Sequence, residues 1–344
     1  MTFDIALFLA QDGIVNAAIY ALIALALVLV FQVTRILFVP QGEFISYGAL
    51  TLAALEMGQV PATIWILLGG AVASAVMTTL RERARLGRLR IPAGQIALVA
   101  YALVVVALVT WLAPLKPSMW IAIPLTLALI VPLGPILYTT VFEGIARASN
   151  LTLLIAAVAL HYALVGIGLL LFGAEGARAA PLSDAAFLLG PILITAQSVL
   201  VVLATAAIMV LLYVFFSRSI EGKALRATAI SREGAKLVGI RPVHAGRLSF
   251  LFASAIGTVS GVLVASLTTF YYDSGFIVGL KGFVAAIIGG LASYPLAVAG
   301  ALIVGFLESF SSFWLSSFKE VIVFALIIPV LLWRSLRAPH TERE

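Results

Sequence analysis

Residues 217–247, SRSIEGKALRATAISREGAKLVGIRPVHAGR, form the one long polar island in the second half of a chain otherwise built from apolar stretches. The runs on either side, 192–216 and 247–269, are each long enough for a membrane crossing, which takes about 20 helical residues for a hydrocarbon layer of about 30 Å. The island is therefore a connector between spans. Seven of its residues are basic (Arg218, Lys223, Arg226, Arg232, Lys236, Arg241 and Arg247) and two are acidic, Glu221 and Glu233. A connector this basic stays on the cytoplasmic side of a membrane. Small residues also stand at fixed places in it, at Gly222, Ala224, Ala227, Gly234, Ala235 and Gly239. A loop selected only for solubility does not need them, so the stretch reads as a helical element against which a cytoplasmic partner presses.

Composition outside the island agrees. The 344 residues are 63% hydrophobic and 10% charged, where soluble domains carry roughly a quarter charged residues. The fold class is all-α, a polytopic transmembrane helix bundle. The net charge of +6 flanks the spans, which explains it by topology without a nucleic-acid partner. There is no cysteine, so disulfide and thiol chemistry are excluded. The opening MTFDIALFLAQDG has Asp4 and Asp12 but neither Lys nor Arg, and reads as a span that inserts without cleavage.

Apolar runs bounded by polar or turn residues predict eleven helices, at 13–33, 42–57, 61–80, 94–113, 119–141, 150–172, 192–216, 247–269, 280–292, 296–313 and 320–333. The runs 42–57 and 280–292 are short for a bilayer and read as broken helices. Alternation from an outside N-terminus puts 17 of the 21 Lys and Arg residues on one side, including Arg35, the run RERARLGRLR at 81–90, Arg147, the island and the tail. That side is the cytoplasm, and the C-terminus lies there. Each short helix follows a long span and a polar connector, and the two pairs run in opposite directions. Gln41-Gly42-Glu43-Phe44 in one is matched with Leu280-Lys281-Gly282-Phe283 in the other. Opposed pairs of this kind are the pattern of an inverted repeat, whose broken helices line a path near the midplane.

Ionisable residues within spans are costly against lipid and turn towards a bundle interior or cavity. Glu43, Lys281, Glu308 and His161 qualify. Glu43 and Lys281 either border the path, neutralising each other or meeting the ammonium and carboxylate of a zwitterionic solute, or snorkel to the interface. Glu308, followed by Ser309, Ser311 and Ser312, reads as glue across helices or as a path residue. His161 reads as a lone packing histidine with no second metal ligand beside it. Ala253, Gly257, Gly261 and Ala265 make a small-residue stripe for close helix approach, within the chain or across a subunit boundary. The sequence has no phosphate loop, metal motif or nucleophile elbow, which leaves an enzyme reading without support.

The island and the stretch after it resemble the permease subunits of branched-chain amino-acid ABC importers, the LivH/LivM type. The resemblance rests on Gly222, Ala224, Arg226, Ala227, Glu233, Ala235, Gly239 and Ile240, on GLKGFVAAIIGG at 279–290, on Ser293 and Pro295, and on AGALIVGFLESFSS with Glu308. It implies one transmembrane permease domain over 1–344 in a bacterial inner membrane, with 217–247 as the loop whose coupling helix docks into an ATPase subunit. It implies ATP and Mg on that partner chain and no cofactor here. A second permease subunit, as a homo- or heterodimer, and an extracytoplasmic solute-binding protein complete the implied assembly. Gln41, Gly42, Glu43, Lys281, Gly282 and Glu308 are the implied path residues. The chain departs from the family where QGEFISYGAL follows Phe38-Val39-Pro40, without the family's Asn and His. That departure leaves another small solute (a sugar, urea, an amide or a nucleoside) as the alternative cargo. A stand-alone secondary transporter driven by an ion gradient is a separate rival reading. A second departure is about two additional spans within 60–118.

Overall fold

A computed structural model describes residues 3–86, 91–189 and 192–337. Gly87–Arg90 of the basic run and Arg343 of the tail lie outside the described residues. The chain opens with α1 (Phe3–Thr34), 32 residues and so about 48 Å long, which is longer than the bilayer is thick. Every residue from Ala17 to Val30 is buried, which makes α1 the central post of the bundle. A connector containing Arg35 in a left-handed conformation (φ 61°) and a 3₁₀ turn at Val39–Gly42 leads to α2 (Glu43–Glu56).

Two largely exposed apolar helices follow, α3 (Thr63–Leu86) and α4 (Ala93–Leu112). The next span, 119–145, is assembled from α5 (Met119–Ile130), α6 (Leu133–Leu137), a π turn at Tyr138–Phe142 and a 3₁₀ turn at Glu143–Ile145. Pro124, Pro132 and Pro135 break its regularity, since each lacks an N–H for the helical ladder. Then α7 (Asn150–Phe172), capped by the Ser149 side chain, leads to an antiparallel hairpin of β1 (Ala186–Leu189) and β2 (Ile192–Thr195). The helix α8 (Ala196–Arg218) enters the basic island, which folds as α9 (Ile220–Ile230) and α10 (Arg232–Leu237). The chain continues through α11 (Pro242–Val264), α12 (Ser274–Ile288), α13 (Tyr294–Trp314), α14 (Lys319–Ala325) and α15 (Ile327–Arg337).

Among the described residues nine helical segments are long and apolar enough to cross a membrane, and α2 and α12 are the two short ones. The all-α polytopic class stands. Several boundaries differ. The first helix begins at Phe3 rather than 13, because Asp4 and Asp12 are exposed on a helix that outruns the membrane. The run expected at 280–292 begins at Ser274, and 247–269 begins at Pro242, whose fixed φ suits a first helical turn. Residues 192–195, expected in a span, pair as a strand instead.

Packing between the two halves is exchanged. The long helix α11 packs along α2, and the long helix α1 packs along α12. The 119–145 span stands beside α2 and α11 as α13 stands beside α12 and α1. The helices α3 and α4 pack on each other and on the 119–145 span, at the rim of the bundle. The stripe Gly257 and Gly261 faces Phe44 and Ile45 of α2, so its partner is within the chain.

Candidate translocation site

The two short helices meet at their N-termini. Gly42 abuts Gly275 so closely that a Cβ on either would strike the other's carbonyl group. The Gly275 N–H donates to Ser46 Oγ at 2.7 Å. Such an approach is open only to glycine. Its consequence is electrostatic, because the positive ends of two helix dipoles converge in the bundle interior, although the N–H groups of Glu43, Ser274, Gly275 and Phe276 already have acceptors within the chain.

Glu43 is the first residue of α2 and is 2% exposed. Its Oε1 lies 2.6 Å from Nδ1 of His161 on α7, and its buried Oε2 has no hydrogen-bond partner. The His161 ring stacks on Phe276 of α12, 4.2 Å between centroids. Beside them the Tyr47 hydroxyl donates to the Leu164 carbonyl at 2.6 Å, so α7 is tied to α2 at two points. His161 is thus not alone, and Glu43 does not snorkel.

Lys281 lies two turns inside α12, not at its start, and is 6% exposed. Its Nζ donates to Glu308 Oε1 at 2.5 Å, and the Tyr20 hydroxyl donates to Glu308 Oε2. The three groups join α12, α13 and α1. The expected equivalence of Glu43 and Lys281 therefore fails: Gly275 and Phe276 occupy the place that Gly42 and the residues after it occupy in the other half. The two charges do not neutralise each other, because each has its own buried partner. Gly282 packs on Ile23 of α1.

Next to the junction is a cavity of about 200 Å³ walled by Leu27, Phe38, Leu154, Leu280 and Phe283, with Gln41 as its polar member. Gln41 Nε2 donates to the Ala253 carbonyl at 2.9 Å, while its buried Oε1 is unpartnered. A mostly apolar wall with a placed polar group is the usual make-up of a small-molecule site, and here Gln41 is the one polar side chain in the wall.

The island lies at one end of the bundle. Gly222 packs on the Phe215 backbone, Ala235 is buried, and Gly239 takes φ 85°, which terminates α10. Ala224 and Ile240 are half-buried. Glu233 is exposed and bound by Lys236 Nζ at 2.5 Å, which holds its carboxyl below the usual carboxylate range. Arg226 is exposed on α9 and also lines a groove between α8 and α13. The residue that sequence reasoning missed is Arg232. Its guanidinium donates to the carbonyls of Val33, Thr34 and Ala146, at 2.6 Å for Thr34, satisfying the C-terminal carbonyls of α1. Burial lowers its pKa. Nothing in the sequence separates it from its six basic neighbours. In the 81–90 run, Arg81 donates to the Thr139 carbonyl at 2.7 Å, a contact inside the bundle.

The opposite end is strapped by residues 173–185. Arg178 donates twice to the Ser266 carbonyl, at 2.9 and 2.7 Å, and the Ala180 N–H donates to Glu56 Oε2 at 2.8 Å. The strap crosses the far ends of α11 and α2. Among the described residues no cluster of three or more His, Asp or Glu side chains could hold a metal ion.

Comparisons with known proteins give the family. The family described as "Branched-chain amino acid transport system / permease component" matches residues 85–331. The high-affinity branched-chain amino acid transport system permease protein LivH of Escherichia coli strain K12 is 38% identical over 141 residues, 40% of this chain and 46% of that protein. Its counterpart BraD of Pseudomonas aeruginosa is 33% identical over 157 residues, 44% of this chain and 51% of that protein. The chain spans about half the length of the curated relatives it matches. The solved structure of PsaBC from Streptococcus pneumoniae in complex with Fab overlaps it with a TM-score of 0.38 at 14% identity, covering 96% of this chain and 91% of that one; an overlap this loose carries no argument. With most of its length matched, this multi-pass membrane protein belongs to the family of branched-chain amino acid transport permease components.

Proposed function

We propose that the chain is the permease subunit of an ATP-driven importer for branched-chain or similar small amino acids. It acts as one transmembrane domain over 1–344 in a bacterial inner membrane, with its N-terminus outside and its C-terminus in the cytoplasm. ATP and Mg bind a separate ATPase subunit that docks on 217–247, a second permease subunit completes the membrane part, and an extracytoplasmic binding protein delivers the solute. This chain supplies path and lever, and the partner supplies hydrolysis.

One observation carries the reading: the junction of two half-helix N-termini beside an apolar cavity. A branched aliphatic amino acid has three parts, and the site has a complement for each. Helix N-termini attract a carboxylate. The open oxygen of Gln41 in the cavity wall accepts from an ammonium, and that of Glu43, at the start of α2 beside the junction, supplies the balancing charge. The wall of Leu27, Phe38, Leu154, Leu280 and Phe283 suits a branched side chain. A neutral sugar or nucleoside can donate a hydrogen bond to the open Glu43 oxygen but brings no cation to balance a buried carboxylate. The lever reading draws on Arg232, through which a push on α10 reaches the end of α1.

Reconstitution with the cognate ATPase and binding protein tests both. The expected result is ATP-dependent uptake of leucine, isoleucine or valine, and its loss with preserved membrane insertion in Arg232→Ala. Uptake by this chain alone, or preference for a sugar, urea or a nucleoside across a solute panel, would overturn the reading.

A further inference from the structure

At the basic end of the bundle a groove of about 260 Å³ runs between α1, α8 and α13. Leu25, Leu212, Phe216 and Val298 wall it, and Tyr294 stacks on Phe216 at 5.6 Å. Its rim is Arg226 of α9. Among the described residues the Arg226 side chain has no ion pair or hydrogen bond within the chain, and neither has Lys223. These two stand three residues apart on one side of α9, and both are exposed. The only carboxylate of α9, Glu221, is taken by His244 at 3.3 Å. Of the other island cations, Arg232, Lys236 and Arg247 are bonded within the protein, whereas Arg218 and Arg241 are exposed and do not line the groove.

An apolar slot that ends in free cations at the edge of a membrane has the form of an acyl chain joined to a phosphate. A guanidinium binds phosphate oxygens through two parallel N–H donors, and basic segments at this depth are drawn to anionic headgroups. We propose that the groove holds one anionic phospholipid, its phosphate on Arg226 and Lys223 and an acyl chain along Leu212, Phe216 and Val298. The lipid would fasten α9 to the bilayer at the point where the island leaves α8. Arg226, which the resemblance assigned to docking, then faces the membrane. This inference does not depend on the cargo.

The test is native mass spectrometry of the delipidated full chain titrated with phosphatidylglycerol or with phosphatidylcholine of the same acyl chains. One phosphatidylglycerol should be retained about tenfold more strongly than phosphatidylcholine. Arg226→Ala should bring it down to the phosphatidylcholine level, Arg226→Lys should keep most of it, and Val298→Trp, which fills the slot, should weaken both. Millimolar inorganic phosphate should not displace the lipid. Equal retention of the two lipids, an Arg226→Ala variant that binds as the parent does, or displacement by phosphate would each overturn the proposal. The chain has no cysteine, so Tyr213→Cys reports on a protein occupant: disulfide-linked dimers in native membranes would mean that a second copy covers the groove.

Discussion

The two buried charge centres, one on each short helix, are built to opposite ends. Around Lys281 every charge is answered: the ammonium by Glu308, and the second carboxylate oxygen by Tyr20. The centre sits two turns away from the helix junction and ties three helices together. Around Glu43 one oxygen is held by His161 and the other is open, at the junction itself. The first centre is closed and structural in character; the second keeps an unsatisfied acceptor where two helix dipoles converge. Buried acceptors without donors are costly in a membrane, so a fold that retains one is expected to use it.

The largest effect should come from opening the closed centre. Lys281→Met leaves the Glu308 carboxylate buried without its cation, which should cost about 3–5 kcal/mol. Thermal unfolding in detergent and recovery of folded protein from membranes measure it. The double variant Lys281→Met/Glu308→Met should regain most of the loss, since an apolar pair of similar volume avoids the desolvation penalty. If Lys281→Met is as stable as the parent, the centre is not structural and the contrast collapses.

Next in size is the junction that both centres flank. Gly42→Ala places a methyl against the Gly275 carbonyl, where backbone and not a flexible side chain must yield. Overpacking of this kind costs about 1–3 kcal/mol. The same substitution at Gly279, whose nearest neighbour is 3.1 Å away, should be milder. Equal stability of the two variants would show that the short helices do not need their close approach.

The open centre should answer in transport and not in stability. Glu43→Gln keeps the shape and a hydrogen bond to His161 but removes the charge. Uptake should fall about tenfold, equivalent to ~1.4 kcal/mol of activation free energy, with unchanged melting. A variant that unfolds while transporting normally per folded molecule would reverse the assignment of the two centres.

How much of this was legible in the sequence follows the physics of each signal. Long apolar runs announce spans whatever their partners, so the helices around 94–113, 119–141 and 150–172 sit where hydropathy puts them. The small-residue stripe at Gly257 and Gly261 was legible as a contact face for the same reason. The start of α2 was legible, expected at 42 and found at Glu43, but that of α12 was not: it lies at Ser274, six residues before the expected 280. Ser274 begins α12 by virtue of the contact between Gly275 and Gly42, far apart in sequence. Charge partners were hidden too: Glu43 and His161 are separated by 118 residues, and the packing of α7 against α2 brings them together. The strand at 192–195 carries residues that read equally well as the start of a span.

The exposed pair Glu233–Lys236 sets the floor for these comparisons. Its geometry is as short as that of Lys281–Glu308, both at 2.5 Å, but the Glu233 side chain is 82% exposed and that of Glu308 10%. Lys236 depresses the Glu233 carboxyl below its unfolded value. Any stabilisation is therefore present above the ordinary carboxylate range and is lost as the pH falls through the depressed folded value. Water and salt screen an exposed pair, so Glu233→Gln should leave the unfolding midpoint at neutral pH unchanged within error. Its small acid-side effect should vanish in high salt. A clear neutral-pH loss in Glu233→Gln would mean that distance rather than burial governs these pairs, and the case for treating the Lys281 centre as structural would have to rest on Tyr20 alone.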